Sequence, residues 1–297
     1  EHLFNMDFSF PVDVGFESEL NVAFGYQHHF EQFEIIAGEE ASYQTGPFTD
    51  NGEAIGANGF PGFSPKTAGT NSRTSDAFYL DIESDINDAL SMSLAMRYEN
   101  IGKIGNTFDG KLSVRLQASE QIALRSTLSS GFRAPTVAQS TMQRISTTNS
   151  VINGAVVQQT SQLVSALSPI AISRSGGGLE PEKAMNFSFG ILSEINTANI
   201  TVDYFHIDIT DRLSLFSSEI MASDSHLLTV SGVTPQASNI QYYANDFDSV
   251  TQGVAVVATL PFHFQSKVDG MLSLAFNYTD TKLHVTNDIS PIANDNV

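Results

Sequence analysis

A two-residue rhythm returns along almost the whole chain and constrains its fold more than any other feature. Leu20, Val22, Phe24 and Tyr26 alternate with Asn21, Ala23, Gly25 and Gln27, and Phe78, Leu80, Ile82 and Ile86 with Tyr79, Asp81, Glu83 and Asp85. Leu90 to Tyr98, Leu112 to Leu116, Ile122 to Phe132, Met185 to Ile191, Ile200 to Tyr204 and Leu272 to Tyr278 repeat the pattern. Side chains of an extended strand point to opposite faces in turn, so period two predicts strands with one apolar and one polar face. Stretches 3–10 and 239–262 alternate more loosely and bring the expectation to ten strands. No stretch holds a helical period.

The connections carry the next step. They are 11–17, 37–76, 87–88, 101–108, 119–120, 133–182, 195–198, 210–238 and 263–270, short and long in strict alternation. In an antiparallel sheet every second connection lies at the same end. All short turns therefore fall at one end and all long loops at the other, as in outer-membrane barrels. Unstructured connections as long as 37–76 and 133–182 are uncommon in compact soluble domains.

Composition agrees. Charged residues are 16% and hydrophobic ones 41% of the 297 residues, against about 25% charged in soluble domains. The net charge of −19, with 14 Lys plus Arg, argues against nucleic acid as a partner. Without Cys there are no disulfides, thiolate metal sites or Cys nucleophiles. No apolar run reaches the length of a transmembrane helix, and the first residues do not read as a signal peptide. Tyr26, Tyr98, Tyr204 and Tyr278 lie toward strand ends on the apolar face, where a membrane interface favours them. The polar face carries Asp81, Glu83, Asp85, Arg97, Lys111, Arg115 and Arg125, which a wet lumen tolerates and lipid does not. A soluble sandwich or propeller is the alternative architecture.

Four segments carry a family resemblance. Gly131-Phe132-Arg133-Ala134-Pro135 resembles the G-F-R-A-P segment of TonB-dependent outer-membrane receptors, and Leu179-Glu180-Pro181-Glu182 their L-x-P-E segment. Ala23 to Tyr26, running on to Glu39, and Thr201 to Ile207 with Asp211-Arg212-Leu213 are similar to further strands of that family. The resemblance runs from about 18 to 280. Physically, Pro135 ends a strand and Pro181 opens one, because proline cannot donate to a ladder. Arg133 has lumen parity and a fork suited to a carboxylate.

The resemblance implies an all-β, antiparallel transmembrane β-barrel of about 22 strands, of which this chain supplies about ten. It implies short periplasmic turns, long extracellular loops, and a location in the bacterial outer membrane. Residues 1–297 are then expected to be part of the barrel domain, without the N-terminal plug; Asn294-Asp295-Asn296-Val297 lacks the aromatic end usual for such barrels. Implied partners are outer-membrane lipid, the plug, the TonB complex acting through the plug, and a small-molecule ligand. The ligand would be an iron chelate, cobalamin, haem or a glycan, with a ferric siderophore as the typical case. The lumen charges would face the plug, acid and base on neighbouring strands being able to pair.

Loops on a rigid scaffold usually carry binding. Tyr43, Phe60 and Arg73 in 37–76, and Arg133, Arg144 and Arg174 in 133–182, are the candidate ligand contacts, since aromatics and arginine can grip an anionic chelate. No metal site is expected: His28 and His29 point to opposite faces, and His29 with Glu31 supplies only two ligands. His206 with Asp208 reads as a rim hydrogen bond, and Asp246 with Asp248 falls short of a calcium site. Gly176-Gly177-Gly178 lacks the Lys of a phosphate loop, and no Gly-x-Ser-x-Gly elbow or cofactor motif occurs, so no enzyme is expected. Two other readings stand beside the receptor: a complete ten-stranded barrel acting as hydrolase or passive pore, whose first and last strands would pair, and a secreted adhesive β-domain, soluble without detergent.

Overall fold

The computed structural model describes residues 1–48, 53, 55–57, 61–152, 155–235, 237–264 and 268–285. The wall is a run of antiparallel strands, each beside the next: β1 (His2–Val12), β2 (Leu20–Ile35), β3 (Gly69–Asn87), β4 (Leu90–Asn100), β5 (Asn106–Ser119) and β6 (Ile122–Arg133). After a long connection, β9 (Glu182–Ile195) joins β6, followed by β10 (Ala198–Glu219), β11 (Asn239–Phe264) and β12 (Val268–Val285). These ten are the strands expected from periodicity.

Two more lie inside the connection read as loop 133–182. They are β7 (Arg144–Ile152) and β8 (Ala155–Leu163), a hairpin whose second strand adds to β11 in parallel through Asn239–Gln241. The connection also holds helices α1 (Val137–Thr141) and α2 (Pro169–Ser175), and α3 (Ser225–Val230) follows β10. The strands read Arg-Ile-Ser-Thr-Thr-Asn-Ser-Val-Ile and Ala-Val-Val-Gln-Gln-Thr-Ser-Gln-Leu. Their middles are polar on both faces and most of their apolar residues are bunched beside the turn, which leaves no alternation to detect.

Register confirms the face assignment. One lateral row runs Met6, Tyr26, Phe78, Tyr98, Phe108 across five strands, four of its members aromatic. These side chains stand outward, Phe108 being 69% and Phe78 59% exposed. The opposite face carries the row Asp81, Ala95, Lys111, Ser129 and, four residues along, Asp85, Ser91, Arg115, Arg125. An outward apolar face beside a polar inner face is what lipid demands of a barrel wall.

The hydrophobic core is elsewhere. Val164, Ile170, Ala171, Phe216, Ile240, Tyr242 and Ala244 form a buried cluster at the long-loop end, with Ile220, Leu227, Leu228 and Val233 packed against it. It forms because β10 and β11 overshoot. Crossing a membrane takes about 9–11 residues, whereas these strands have 22 and 26. Their outer halves make a platform on which β8, α2 and α3 fold. Between tall β2–β3 and β10–β11, the β4–β5 connection at 101–105 leaves the rim low, closed by the Ile101 N–H donating to the Gly105 carbonyl at 2.8 Å. Among the described residues β1 and β12 each pair with one strand and not with each other.

Candidate functional site at the long-loop rim

Arg133 ends β6 and Glu182 opens β9, and the two are register partners. The guanidinium donates twice to the carboxylate, Nε to Oε2 at 2.8 Å and Nη2 to Oε1 at 2.7 Å. Glu182 Oε1 also accepts the Leu213 N–H at 2.7 Å. That N–H is free because the β10–β11 register shifts between Ile209 and Leu213, with Asp211 at φ 57. Burial pushes the Glu182 carboxyl up, but the Arg133 and Leu213 hydrogen bonds and the positive Arg133 and Arg212 outweigh it, so its pKa lies below the ordinary value.

Asn245 of β11 secures the segment ahead of Glu182. Its side-chain oxygen accepts the Glu180 N–H at 2.9 Å, and its amide nitrogen donates to the Glu180 carbonyl at 3.0 Å and to the Asp211 carbonyl. Asp248 accepts the Asp211 N–H at 2.9 Å, and Lys183 lies 3.9 Å from Asp211. Arg212 donates to Ser249 at 3.0 Å and stands over the Phe247 ring. The segment Gly131, Phe132, Arg133, Ala134, Pro135 and the segment Leu179, Pro181, Glu182 are thus joined at the rim through Arg133 and Glu182, with Gly131 and Phe132 beside Ala184 and Lys183 and with Pro135 fully buried.

The loop candidates have diverse surroundings. Arg73 donates from Nε to Glu31 at 2.9 Å and from Nη1 to the Pro135 carbonyl at 2.6 Å. Arg174 donates to Asp224 at 2.6 Å and joins α2 to the turn before α3. Arg144 opens β7. Tyr43 closes a 3-10 turn, its N–H donating to the Glu40 carbonyl. Phe60 lies outside the described residues. The arginines of 37–76 and 133–182 therefore do not converge on one open patch: Arg73, Arg133 and Arg174 each bind a carboxylate of the chain.

The inner-face charges Asp81, Glu83, Asp85, Arg97, Lys111, Arg115 and Arg125 share one surface, but they do not pair with one another. Register sets Asp81 against Ala95, Glu83 against Ser93 and Asp85 against Ser91, so none of these three acids faces a base on β4, while Arg97 faces Asp109 of β5. Arg97 binds Glu99 at 2.7 Å and Gln27 at 2.6 Å, and Arg115 binds Gln117 at 2.7 Å. Arg125, beside Arg115, turns the other way and makes a bidentate pair with Asp203, 2.8 and 2.6 Å from Nη2.

That pair spans a strand, because Gly190 of β9 lies between Arg125 and Asp203 in the same row. A Cβ on Gly190 would fall 2.1 Å from Asp203 Oδ1. Tyr79 reaches Asp7 over Gly25 in the same way, whereas Arg97, opposite Tyr79, reaches Gln27 on the diagonal. A small residue in the middle strand lets its neighbours' polar side chains meet above it.

The TonB dependent receptor-like, beta-barrel family model matches residues 3–296. The chain belongs to this family. The receptor's fold agrees with solved structures at low identity. A ferric enterobactin receptor (PfeA) mutant of Pseudomonas aeruginosa, in complex with enterobactin, superposes with TM-score 0.62 at 14% identity, covering 93% of this chain and 35% of that one. The siderophore receptor PirA from Pseudomonas aeruginosa gives 0.61 at 13%, covering 95% and 44%. The RagAB peptide importer gives 0.57 at 14%, covering 95% and 30%. The receptor chain thus spans less than half the length of these structures. A comparison with curated protein sequences gave no match.

The family is one of outer-membrane receptors and transporters. No helix among the described residues is long and apolar enough to cross a membrane, which does not bear on crossing by strands. No group of three or more His, Asp or Glu among them could hold a metal ion. Gln162 and Asn245 carry no signal in the sequence, Glu31 enters only as an insufficient metal ligand beside His29, and Asp203 only inside a family segment. Parity alone marks Glu31 and Asp203 as inward-facing; their partners come from other strands, 42 and 78 residues away in sequence.

Proposed function

We propose that this chain forms wall and outer loops of an active-transport receptor that binds a scarce extracellular ligand and imports it with energy delivered through TonB. A ferric siderophore is the leading ligand class, and cobalamin, haem and glycans are the others. The observation that carries the reading is the loop layer with its own apolar core, seated on two over-long strands. A passive pore has no need of a built platform above its mouth. Two superposed structures are described as siderophore receptors, one in complex with enterobactin, which favours an iron chelate.

In this reading residues 1–297 are one part of the barrel domain, and the plug occupies the lumen. Asp81, Glu83, Asp85, Lys111 and Arg115 make no ion pair within the wall among the described residues, so they offer charge to it. Tyr43, Phe60, Arg73, Arg133, Arg144 and Arg174 remain candidates for ligand contact, the exposed part of Arg133 having the easiest access. That β1 and β12 do not pair with each other among the described residues speaks against a closed ten-stranded pore or hydrolase.

The test is uptake of radiolabelled ferric siderophores, cobalamin and haem by cells lacking the full-length gene. Loss of ferric-siderophore uptake, restored by the gene, is expected under iron limitation. Unchanged iron uptake rejects the siderophore role, and loss of cobalamin or haem uptake alone reassigns the ligand.

A further inference from the structure

We propose that Ala134–Thr141 is a fixed strap folded inward across the barrel mouth, and that Arg73 is the positioning residue that latches it. The inference rests on the barrel reading of the wall and is independent of which ligand is carried.

Arg73 is on β3 and the strap leaves β6, with β4 and β5 between them. Three inter-strand spacings amount to about 14 Å. Two residues of extended chain cover only about 7 Å, yet Arg73 Nη1 lies 2.6 Å from the Pro135 carbonyl. The chain therefore turns at once from β6 toward β3, and the arginine reaches out to meet it. The low β4–β5 rim leaves that path open. α1 then packs against β2 and β3.

The strap is built to hold its shape. Thr136 caps α1 by accepting the Gln139 N–H at 3.1 Å, while the Gln139 side chain accepts the Thr136 N–H at 2.9 Å, a reciprocal capping box. Pro135 and Val137 are buried, and so is Ser75, which shares the inner face of β3 with Arg73. Glu31 holds the other side of the Arg73 guanidinium, which is only 16% exposed. A fork fixed by a carboxylate on one side has its remaining donor aimed at one carbonyl. The strap takes a share of the aperture through which any ligand would pass, and Arg73 sets that share.

The test uses the full-length receptor in detergent micelles with Val137→Cys, the parent serving as the blank. This chain has no Cys of its own. Labelling by a hydrophilic maleimide is expected to be slow, and Arg73→Gln should accelerate it by about tenfold or more, as loss of a charge-assisted hydrogen bond would. Arg73→Lys should restore part of the protection. A second thiol at Ile170, buried in the loop core, separates a released strap from general loosening. Acceleration at 137 alone supports the latch; equal acceleration at both sites, or none, overturns it. If Arg73→Gln fails to insert, Glu31→Gln replaces it, and an unchanged rate at 137 then overturns the proposal.

Discussion

A single carboxylate, that of Glu182, joins three strands: its own β9, β6 through Arg133 and β10 through the Leu213 N–H. Its lowered pKa fixes the sign of the pH effect. The stability it contributes is fully present above the unfolded value of 4.5 and is lost as pH falls through the lower folded value. Protection of the Leu213 amide from hydrogen exchange, corrected for intrinsic rate, should therefore hold at neutral pH and fall only in acid. Glu182→Gln should abolish that acid dependence. Glu182→Ala strands a guanidinium and an N–H and should cost about 2–3 kcal/mol in denaturant titration. Gly190 makes the opposite case, for what is missing there. Gly190→Ala should displace the Arg125–Asp203 pair. With Arg125 half exposed, screening limits the loss to about 1 kcal/mol. The effect should shrink when Arg125→Ala is already present, which a double-mutant cycle would show.

Among the elements, the loop layer is held by one buried side chain as much as by its core. Gln162 of β8, 1% exposed, donates to the Gly232 carbonyl at 3.3 Å and accepts the Thr234 N–H at 2.8 Å. It fastens the connection after α3 to the hairpin. Gln162→Ala removes both hydrogen bonds, at a local cost of about 1–3 kcal/mol. Limited proteolysis should then cut within 220–238, while the wall keeps its heat-modifiable mobility on gels. Such elements explain what the sequence could and could not show. The wall strands were legible because alternation is local, and the face of Asp81 or Leu128 follows from parity alone. β7 and β8 were not, since strands whose middles are polar on both faces leave no periodic trace. Nor was the rim joint, although its motifs stood out. Pro135 and Pro181 announce where strands end and begin, but that Glu182 meets Leu213 depends on a bulge in another strand. Arg73 looked like a free loop arginine because its strand begins at Gly69, before the alternation becomes visible at 77.

At the scale of the whole molecule, apolar side chains have two destinations. Those of the wall, such as Phe78, Phe108 and Tyr278, point outward, and those around Ile170 and Tyr242 face one another. In the proposed barrel the first group is solvated by acyl chains and the second by protein. Calorimetry of the receptor in micelles should therefore show two separate endotherms. One should move with the alkyl length of the detergent, since its reference solvent is the micelle interior. The other should ignore alkyl length and respond instead to urea and to Gln162→Ala, as water-exposed packing does. A single transition that tracks the detergent would mean that the loop layer has no independent cohesion. If two are seen, the receptor's mouth could be stiffened or loosened by mutation while its seat in the membrane stays the same.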